Sequence, residues 1–265
     1  MNSFLKEIIR EKEDEIRNRF SKGYLSEIKS QIKDVSAPRP FKDAISNKRC
    51  RDISSAIRLI AEIKRSSPSR GVIRERLDVV EVAREYEEGG ASAISVLTER
   101  NFFEGKVEYL SSVKKASSLP ILQKDFIIDE RQIYEGRVKG ADAVLLIASI
   151  LDKTQLNEYQ ELAYKVGICP LIEVHNEDDL EKALLTKSEV VGINNRDLNS
   201  FETSLNTTIR LIKDIPDEKI VISESGIKMR DDIIFLQENG VDAILVGETF
   251  MKSRDIKEKI MELLS

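Results

Sequence analysis

The chain has 265 residues, of which 41% are hydrophobic and 34% are charged, and its formal net charge is -5. That length suits one large core, and a single α/β barrel of ~250 residues fits it better than two ordinary domains. The 42 basic and 47 acidic residues nearly balance and are interspersed, which excludes the basic stripe expected of a nucleic-acid-binding protein. We therefore expect an enzyme with a small-molecule substrate.

The two cysteines, Cys50 and Cys169, lie far apart and have no CxxC or Cys/His spacing, so we expect incidental thiols and no metal site. No run approaches the ~18 consecutive apolar residues of a membrane helix, and the N-terminal segment has no continuous apolar core. We expect a cytoplasmic protein without a membrane partner, and a monomer, with a weak homodimer as the alternative.

Residues 1–58 precede the repeating pattern of the chain. They contain a charged amphipathic helix near Ser3–Phe20, a short helical run near Leu25–Ile32 and a Pro38–Phe41 stretch that should be extended. We assign this extension to the same domain as residues 59–265. Two alternatives stay open: the extension plugs one end of the domain, or it covers the substrate.

Eight apolar runs of strand length follow: LIAEIK (59–64), AISVLT (93–98), PILQKDF (120–126), AVLLIAS (143–149), CPLIEV (169–174), VVGIN (190–194), IVISES (220–225) and AILVG (243–247). Helical patterns separate them, among them Leu77–Glu88, Glu130–Lys139, Leu156–Val166, Asp178–Leu185 and Asp231–Glu238. Alternation of strands and helices predicts a parallel sheet. The near-continuous Val, Ile and Leu indicate that both faces of that sheet are covered.

Three similar tetrads, Gly90–Ala93, Gly140–Ala143 and Gly240–Ala243, each end a helical pattern and enter a strand. Their glycines suit the left-handed residue that ends a helix. Their spacing gives βα units of about 25 residues, and no strand resembles the edge of an open sheet. We therefore predict a closed (β/α)8 TIM barrel with an N-terminal helical extension.

Polar residues end several of the apolar runs. Active sites of such barrels lie at the carboxyl ends of the strands, so these residues are the candidate site. Three cations and three carboxylates stand out, with an asparagine beside them: Lys64, Lys124, Arg196, Glu62, Glu173, Glu224 and Asn194. Their convergence on one mouth favours an anionic substrate and proton transfers in both directions.

Two turns that contain glycine, Ser225-Gly226 and Gly247-Glu248, follow the seventh and eighth strands, where barrels commonly bind phosphate. Glycine lets backbone N–H groups approach phosphate oxygens, and the N-terminus of a following helix adds its dipole. The only histidine, His175, follows the fifth strand. It is a candidate base, but the carboxylates and lysines already supply acid and base, and we expect it at the rim.

Three segments in this order, Glu62–Ser69 (EIKRSSPS), Lys124–Ile127 (KDFI) and Gly192–Leu198 (GINNRDL), resemble indole-3-glycerol phosphate synthase. The similarity covers the extension and all eight units. It implies that 1-(o-carboxyphenylamino)-1-deoxyribulose 5-phosphate is closed to a ring, decarboxylated and dehydrated, a carboxy-lyase reaction of tryptophan biosynthesis. Aromatisation of the new ring drives the last step, so no cofactor is expected.

The resemblance also implies individual roles. Lys124 is the general acid on the ketone, Lys64 engages the substrate carboxylate and helps to expel the hydroxyl, and Glu62 and Glu173 share basic and orienting duties. Asn194, Arg196 and Glu224 hold the ring amine, the sugar hydroxyls and their neighbours. The phosphate is bound by Ser67, Ser225, Gly226, Gly247 and the Glu248 amide. The aromatic ring is sandwiched by Phe103, Phe126 and Leu198. A buried lysine among cations should have a lowered pKa.

The sequence departs from the family at Lys106, where a serine usually follows the glycine, and this predicts altered closure of the loop and an altered KM.

Three other functions remain to be weighed. A Schiff-base aldolase would use Lys124 or Lys64, whereas a sugar-phosphate isomerase would need a Cys/Asp pair at strand ends, and Cys169 begins its strand. A barrel kept only as a binding module would have lost a catalytic lysine or glutamate, and none is missing.

Overall fold

The structure, a computed structural model, describes residues 3–47, 57–197 and 200–265. Eight parallel strands pair in chain order, and the last pairs with the first, which closes a barrel. The strands are β1 (Arg58–Ile63), β2 (Ala93–Leu97), β3 (Ile121–Lys124), β4 (Ala143–Ile147), β5 (Cys169–Val174), β6 (Val190–Asn194), β7 (Ile220–Glu224) and β8 (Ala243–Val246). Each overlaps one predicted run, so the predicted barrel is confirmed.

Helices precede and surround the barrel: α1 (Ser3–Arg19), α2 (Tyr24–Gln31), α3 (Phe41–Ile45), α4 (Val79–Glu88), α5 (Glu108–Ala116), α6 (Glu130–Lys139), α7 (Lys153–Lys165), α8 (Glu177–Leu184), α9 (Asn206–Leu211), α10 (Arg230–Glu238), α11 (Glu248–Met251) and α12 (Ile256–Leu264). Side chains that accept hydrogen bonds from first-turn N–H groups begin five of them: Asp78, Asp129, Asp152, Asn176 and Asp255. Within the described ranges, no helix has the length and apolar character needed to cross a membrane.

The three glycine tetrads take the predicted conformation. Gly90, Gly140 and Gly240 have φ values of 95°, 103° and 84°, in the left-handed region that ends a helix. The third residue of two tetrads has a further role, because its carboxylate accepts an N–H of the preceding strand. Asp142 accepts from Ile121 N at 2.9 Å, and Asp242 accepts from Val221 N at 2.9 Å. These bonds tie the amino ends of neighbouring strands together.

The N-terminal extension reaches both ends of the barrel. The α1 helix lies over the carboxyl ends of the strands, where its Lys12 Nζ is 3.0 Å from Asp125, just after β3. The α3 helix closes the opposite end, where the buried Phe41 and Ile45 pack against β1 and β2. One segment of the extension therefore plugs the amino end of the barrel, and another lies over the mouth at the carboxyl ends of the strands.

The predicted extended stretch Pro38–Phe41 is wrong at its last residue, because Phe41 begins α3. Pro40 occupies the N-cap of that helix, a place where a missing N–H costs nothing. Cys169 begins β5 at the amino end of the barrel, far from the mouth, as expected. Cys50 lies outside the described residues.

Candidate active site

A cavity opens at the carboxyl ends of the strands, beneath Leu5 and Ile8 of α1. Its lining includes every predicted site residue within the described ranges: Glu62, Lys64, Ser67, Phe103, Lys124, Phe126, Glu173, Asn194, Arg196, Glu224, Ser225, Gly226, Gly247 and Glu248. Leu198 lies outside those ranges. The folding of a parallel barrel gathers these residues, because the carboxyl ends of all eight strands meet at one mouth.

Lys124, the last residue of β3, holds the centre of the site. Its ammonium Nζ lies 2.6 Å from Glu173 Oε2 and 3.2 Å from Glu224 Oε2, and its side chain is 14% exposed. Glu173 comes from β5 and Glu224 from β7, so one cation joins three strands of the barrel. A charge in this position is compensated on two sides.

The pKa of Lys124 lies above its ordinary value. Burial lowers this pKa, but the charges of Glu173, Glu224 and Glu62 together outweigh burial. The expected lowering of this pKa is therefore wrong, because the nearest charges are carboxylates rather than cations. The free site holds Lys124 as an ammonium, with a proton ready to donate.

The two carboxylates on Lys124 differ in their ionisation. Burial raises the pKa of Glu224, and repulsion by Glu173 adds to it, so that this pKa reaches about 7 despite Lys124. Glu173 is also buried, but Lys124 and His175 lower its pKa below the ordinary value, with help from a hydrogen bond to Asn194. Environments that push two acids apart in pKa are the usual arrangement for acid and base in one site. Residue spacing alone does not indicate which of the two carboxylates has the raised pKa.

A second ion pair lies across the cavity, where Lys64 Nζ is 2.7 Å from Glu62 Oε1. A glycine faces each of the buried glutamates Glu62 and Glu224, and a side chain at that position would displace the glutamate. A Cβ at Gly247 would lie 2.6 Å from Glu62 Oε1, and one at Gly192 would lie 2.3 Å from Glu224 Oε1. Gly192 was not among the predicted site residues, although it stands inside the GINNRDL segment.

The expected phosphate turns lie side by side at the rim. Ser225 and Gly226 have φ values of 68° and 85°, and Ser67 Oγ is buried without a hydrogen-bond partner among the described residues. The carboxylate of Glu248 is paired with Arg70 Nε at 3.2 Å, which offsets its charge beside the turn. The α11 helix after Gly247 has only four residues, so the helix dipole assumed for this turn contributes little.

Phe103 and Phe126, two of the three residues of the expected sandwich, form an aromatic wall of the cavity, and the third, Leu198, lies outside the described residues. The ring centroids of Phe103 and Phe126 are 6.4 Å apart, and the ring planes are tilted by 43°. A ring inserted between them would need two contact distances of ~3.5–4.0 Å, so this spacing is too small. In this conformation the two rings form one wall, and an aromatic ligand would pack on one side of it.

Several residues of the site were missed from the sequence. Glu99, which is 1% exposed, accepts the N–H groups of Phe102 at 2.7 Å and Phe103 at 3.1 Å, and so shapes the loop that carries the aromatic wall. Lys12 of α1 lies 3.6 Å from Glu99 and joins this loop to the helix above. Lys106, the departure from the family, is exposed over the ring of Tyr109 and does not line the cavity.

His175 does not lie at the rim as expected. Its side chain is 9% exposed, and its Nε2 lies 3.3 Å from Glu173 Oε1. The ring packs behind Glu173 and lines a neighbouring polar cavity, which shares Asn194 and Arg196 with the site. A buried position was not foreseen because the strand alternation says where a side chain points, but not what covers it.

Comparisons with known proteins agree with this site. A model of the family described as indole-3-glycerol phosphate synthase matches residues 5–263. An indole-3-glycerol phosphate synthase of Acetivibrio thermocellus is 46% identical over 260 residues, which cover 97% of this chain and 98% of that protein. One of Alkaliphilus metalliredigens is 44% identical over 261 residues, with 98% of each chain covered.

Solved structures of more distant proteins share the fold. A 3-hexulose-6-phosphate synthase from Salmonella typhimurium has a TM-score of 0.64 at 13% identity, covering 78% of this chain and 96% of that one. A thiamine phosphate pyrophosphorylase from Pyrococcus furiosus has a TM-score of 0.59 at 17% identity, covering 78% and 93%. At such identities the likeness shows the barrel alone. The family match and the full-length relatives decide the matter: the chain belongs to the indole-3-glycerol phosphate synthase family, carboxy-lyases of tryptophan biosynthesis.

Proposed function

We propose that this barrel mouth converts 1-(o-carboxyphenylamino)-1-deoxyribulose 5-phosphate into indole-3-glycerol phosphate, CO2 and water, with Lys124 as the general acid. The observation that carries the proposal is the Lys124 ammonium between Glu173 and Glu224, with the Lys64–Glu62 pair in the same cavity. Two separate lysine–carboxylate pairs supply the two proton donors that ring closure and dehydration need in turn.

In the first half of the reaction, a ring carbon of the substrate attacks the ketone and forms a carbon–carbon bond. The ketone oxygen gains negative charge, and Lys124 donates its proton to it. The raised pKa of Lys124 does not prevent this transfer, because an alkoxide is far more basic than an amine. Loss of CO2 from the same ring carbon then returns its electron pair to the ring.

In the second half, the new hydroxyl leaves as water and the five-membered ring becomes aromatic. Lys64, paired with Glu62, donates to the leaving hydroxyl. Glu173 has a lowered pKa and is therefore ionised, so it accepts the proton lost by the carbon bonded to the amine, while the nitrogen keeps its own proton as the indole N–H. Asn194, Arg196 and Glu224 line the space between these groups and hold the amine and the sugar hydroxyls.

Binding is divided between the two sides of the cavity. The phosphate would lie at the turns Ser225-Gly226 and Gly247-Glu248, where the unpartnered Ser67 hydroxyl offers a further donor. The aromatic ring would pack on the wall of Phe103 and Phe126 below α1. Contacts at both ends of the substrate hold the reacting carbons near Lys124.

The test is direct assay of the purified chain with this substrate. We expect indole absorbance and fluorescence to appear with release of one CO2 per indole. A Schiff-base aldolase would instead give a borohydride-trapped adduct on Lys124 or Lys64. Such an adduct, without indole formation, would overturn the proposal.

A further inference from the structure

His175 is the only histidine of the chain, and the proposed reaction leaves it without a role. Its ring is fixed on one side by Ser149 and Asp179. Ser149 Oγ lies 3.2 Å from Nδ1, and Asp179 Oδ2 lies 3.6 Å from the same nitrogen and accepts the backbone N–H of His175 at 3.2 Å. A hydrogen bond between Ser149 Oγ and the same Asp179 oxygen closes this cluster.

The other side of the ring faces the site. His175 Nε2 lies 3.3 Å from Glu173 Oε1, whereas the second oxygen, Oε2, is the one on Lys124 at 2.6 Å. The two oxygens of Glu173 are thus divided between the imidazole and the ammonium. Nε2 has no hydrogen-bond partner among the described residues, and its contact with Oε1 lies off the line of a hydrogen bond and is an ion pair when the ring is protonated.

We infer that His175 is a positioning residue: its imidazole, anchored by Ser149 and Asp179, holds Oε1 of Glu173 so that Oε2 stays on the Lys124 ammonium. Charges alternate along this row, from Asp179 through His175 and Glu173 to Lys124. A carboxylate held at both oxygens cannot rotate about its last bond. Its free lone pair therefore keeps one direction towards the substrate carbon that loses a proton. The inference rests on the proposed role of Glu173.

The charges around His175 favour its protonated form. Burial lowers the pKa of His175, but the hydrogen bond to Asp179 and the charges of Glu173 and Asp179 raise it above its ordinary value, against a smaller effect of Lys124. Lys182 of α8 lies 3.7 Å from Asp179 and faces the same cluster. Asn194 at the end of β6, Arg196 just after it, and Arg210 line the polar cavity beside the ring.

Proton NMR of the untagged chain tests the contact without any assay of activity, because a single histidine gives one imidazole signal that needs no assignment. We expect Glu173→Gln to lower the titration midpoint of His175 by about one pH unit, the size expected for loss of an opposite charge at this distance. Glu62→Gln is the control, since it removes a carboxylate of the same mouth that has no contact with the ring, and it should leave the midpoint in place.

Kinetics of two amide variants separate orientation from a merely structural role. The side-chain amide of His175→Gln falls near the place of Nε2 and can donate to Glu173, whereas that of His175→Asn falls near Nδ1 and cannot reach it. We expect the Gln variant to keep kcat within about fivefold and the Asn variant to lose about 10- to 100-fold, as when a group that orients a reacting residue is lost. The values of KM and Tm should be similar in the two variants.

An unchanged His175 midpoint in Glu173→Gln would overturn the inference, and so would equal kcat values in folded His175→Gln and His175→Asn. Failure of the proposed function gives a different result. If Glu173→Gln itself keeps the wild-type kcat, the role of Glu173 is wrong, whatever the NMR titration shows.

Discussion

Buried carboxylates at the two ends of the barrel differ in how completely they are hydrogen-bonded. At the amino end, Asp142 is 1% exposed and its carboxylate accepts from Arg39 N at 2.6 Å, Ile121 N at 2.9 Å and Lys114 Nζ at 2.5 Å. At the carboxyl end, Glu224 is equally buried, but its Oε1 has no hydrogen-bond partner among the described residues, and a second carboxylate shares its lysine.

The difference separates charges that stabilise the fold from charges that are kept for chemistry. A carboxylate saturated by backbone N–H groups and a lysine lowers the free energy of the folded chain. A carboxylate that is buried beside a like charge and lacks hydrogen-bond partners raises that free energy, unless a ligand supplies the missing partners. Enzymes hold such strained groups where a proton must move.

Lys124→Ala should remove the chemistry while keeping most of the binding. General acid catalysis contributes ~10²–10⁴-fold, so kcat should fall at least that far, whereas KM should change little because the phosphate and ring contacts persist. Steady-state kinetics followed by indole fluorescence measure both constants. A kcat within about tenfold of the wild type would transfer the role of general acid to Lys64.

Glu173→Gln and Glu62→Gln should fail at different steps. Glutamine keeps the size of the side chain but cannot accept a proton, so Glu173→Gln should release one burst of CO2 per site while indole appears much later. Glu62→Gln, which disturbs the Lys64 pair, should slow both products together. Single turnover of carboxyl-labelled substrate measures the two rates. A burst of CO2 without indole in Glu62→Gln would reverse the roles of the two glutamates.

Much of this account could be predicted from the sequence. Apolar runs show the strands because both faces of a barrel strand are covered, and the residues that end those runs, such as Lys124 and Glu173, are placed at one mouth by topology alone. Gly140 and Gly240 could be recognised as helix ends for a similarly local reason, the need for a left-handed residue.

What could not be predicted depends on distant neighbours. The pKa values of Glu173 and Glu224 differ in part because His175 and Asn194 lower only that of Glu173, and the contact with Asn194, which comes from another strand, does not follow from spacing in the chain. The raised pKa of Lys124 was missed for the same reason. Likewise, the amphipathic pattern of α1 shows that one face is buried, but not that its Leu5 covers the mouth. Nor does the sequence show that Phe41 of α3 fills the opposite end of the barrel.

Inorganic phosphate should compete with the substrate, because the turns after β7 and β8 and the Ser67 hydroxyl are free to bind an anion at the same place. Ser67→Ala should raise both the inhibition constant of phosphate and KM by about tenfold, the effect of one hydrogen bond to a charged group, with kcat nearly unchanged. Inhibition kinetics at varied substrate concentration measure this. Non-competitive inhibition that Ser67→Ala leaves unchanged would contradict the assignment.

The most direct test of the contrast replaces one carboxylate at each end of the barrel by its amide, as Glu224→Gln and Asp142→Asn, and measures kcat and Tm of both variants at several pH values. The pKa of Glu224 is raised from 4.5 to about 7. Folding therefore favours its protonated form, and the stability that this form contributes is present below about pH 4.5 and lost as the pH rises through about 7.

At pH 8 we predict that Glu224→Gln, which resembles the protonated acid, melts at or above the wild-type Tm and loses about tenfold or more in kcat. Its advantage in Tm should disappear towards pH 4.5. Asp142→Asn should melt several degrees lower, at about 2–4 °C per kcal/mol, and keep the wild-type kcat. A lower Tm for Glu224→Gln at pH 8, or a loss of kcat without a loss of Tm in Asp142→Asn, would contradict the claim that carboxylates at the amino end stabilise the fold and those at the carboxyl end serve catalysis.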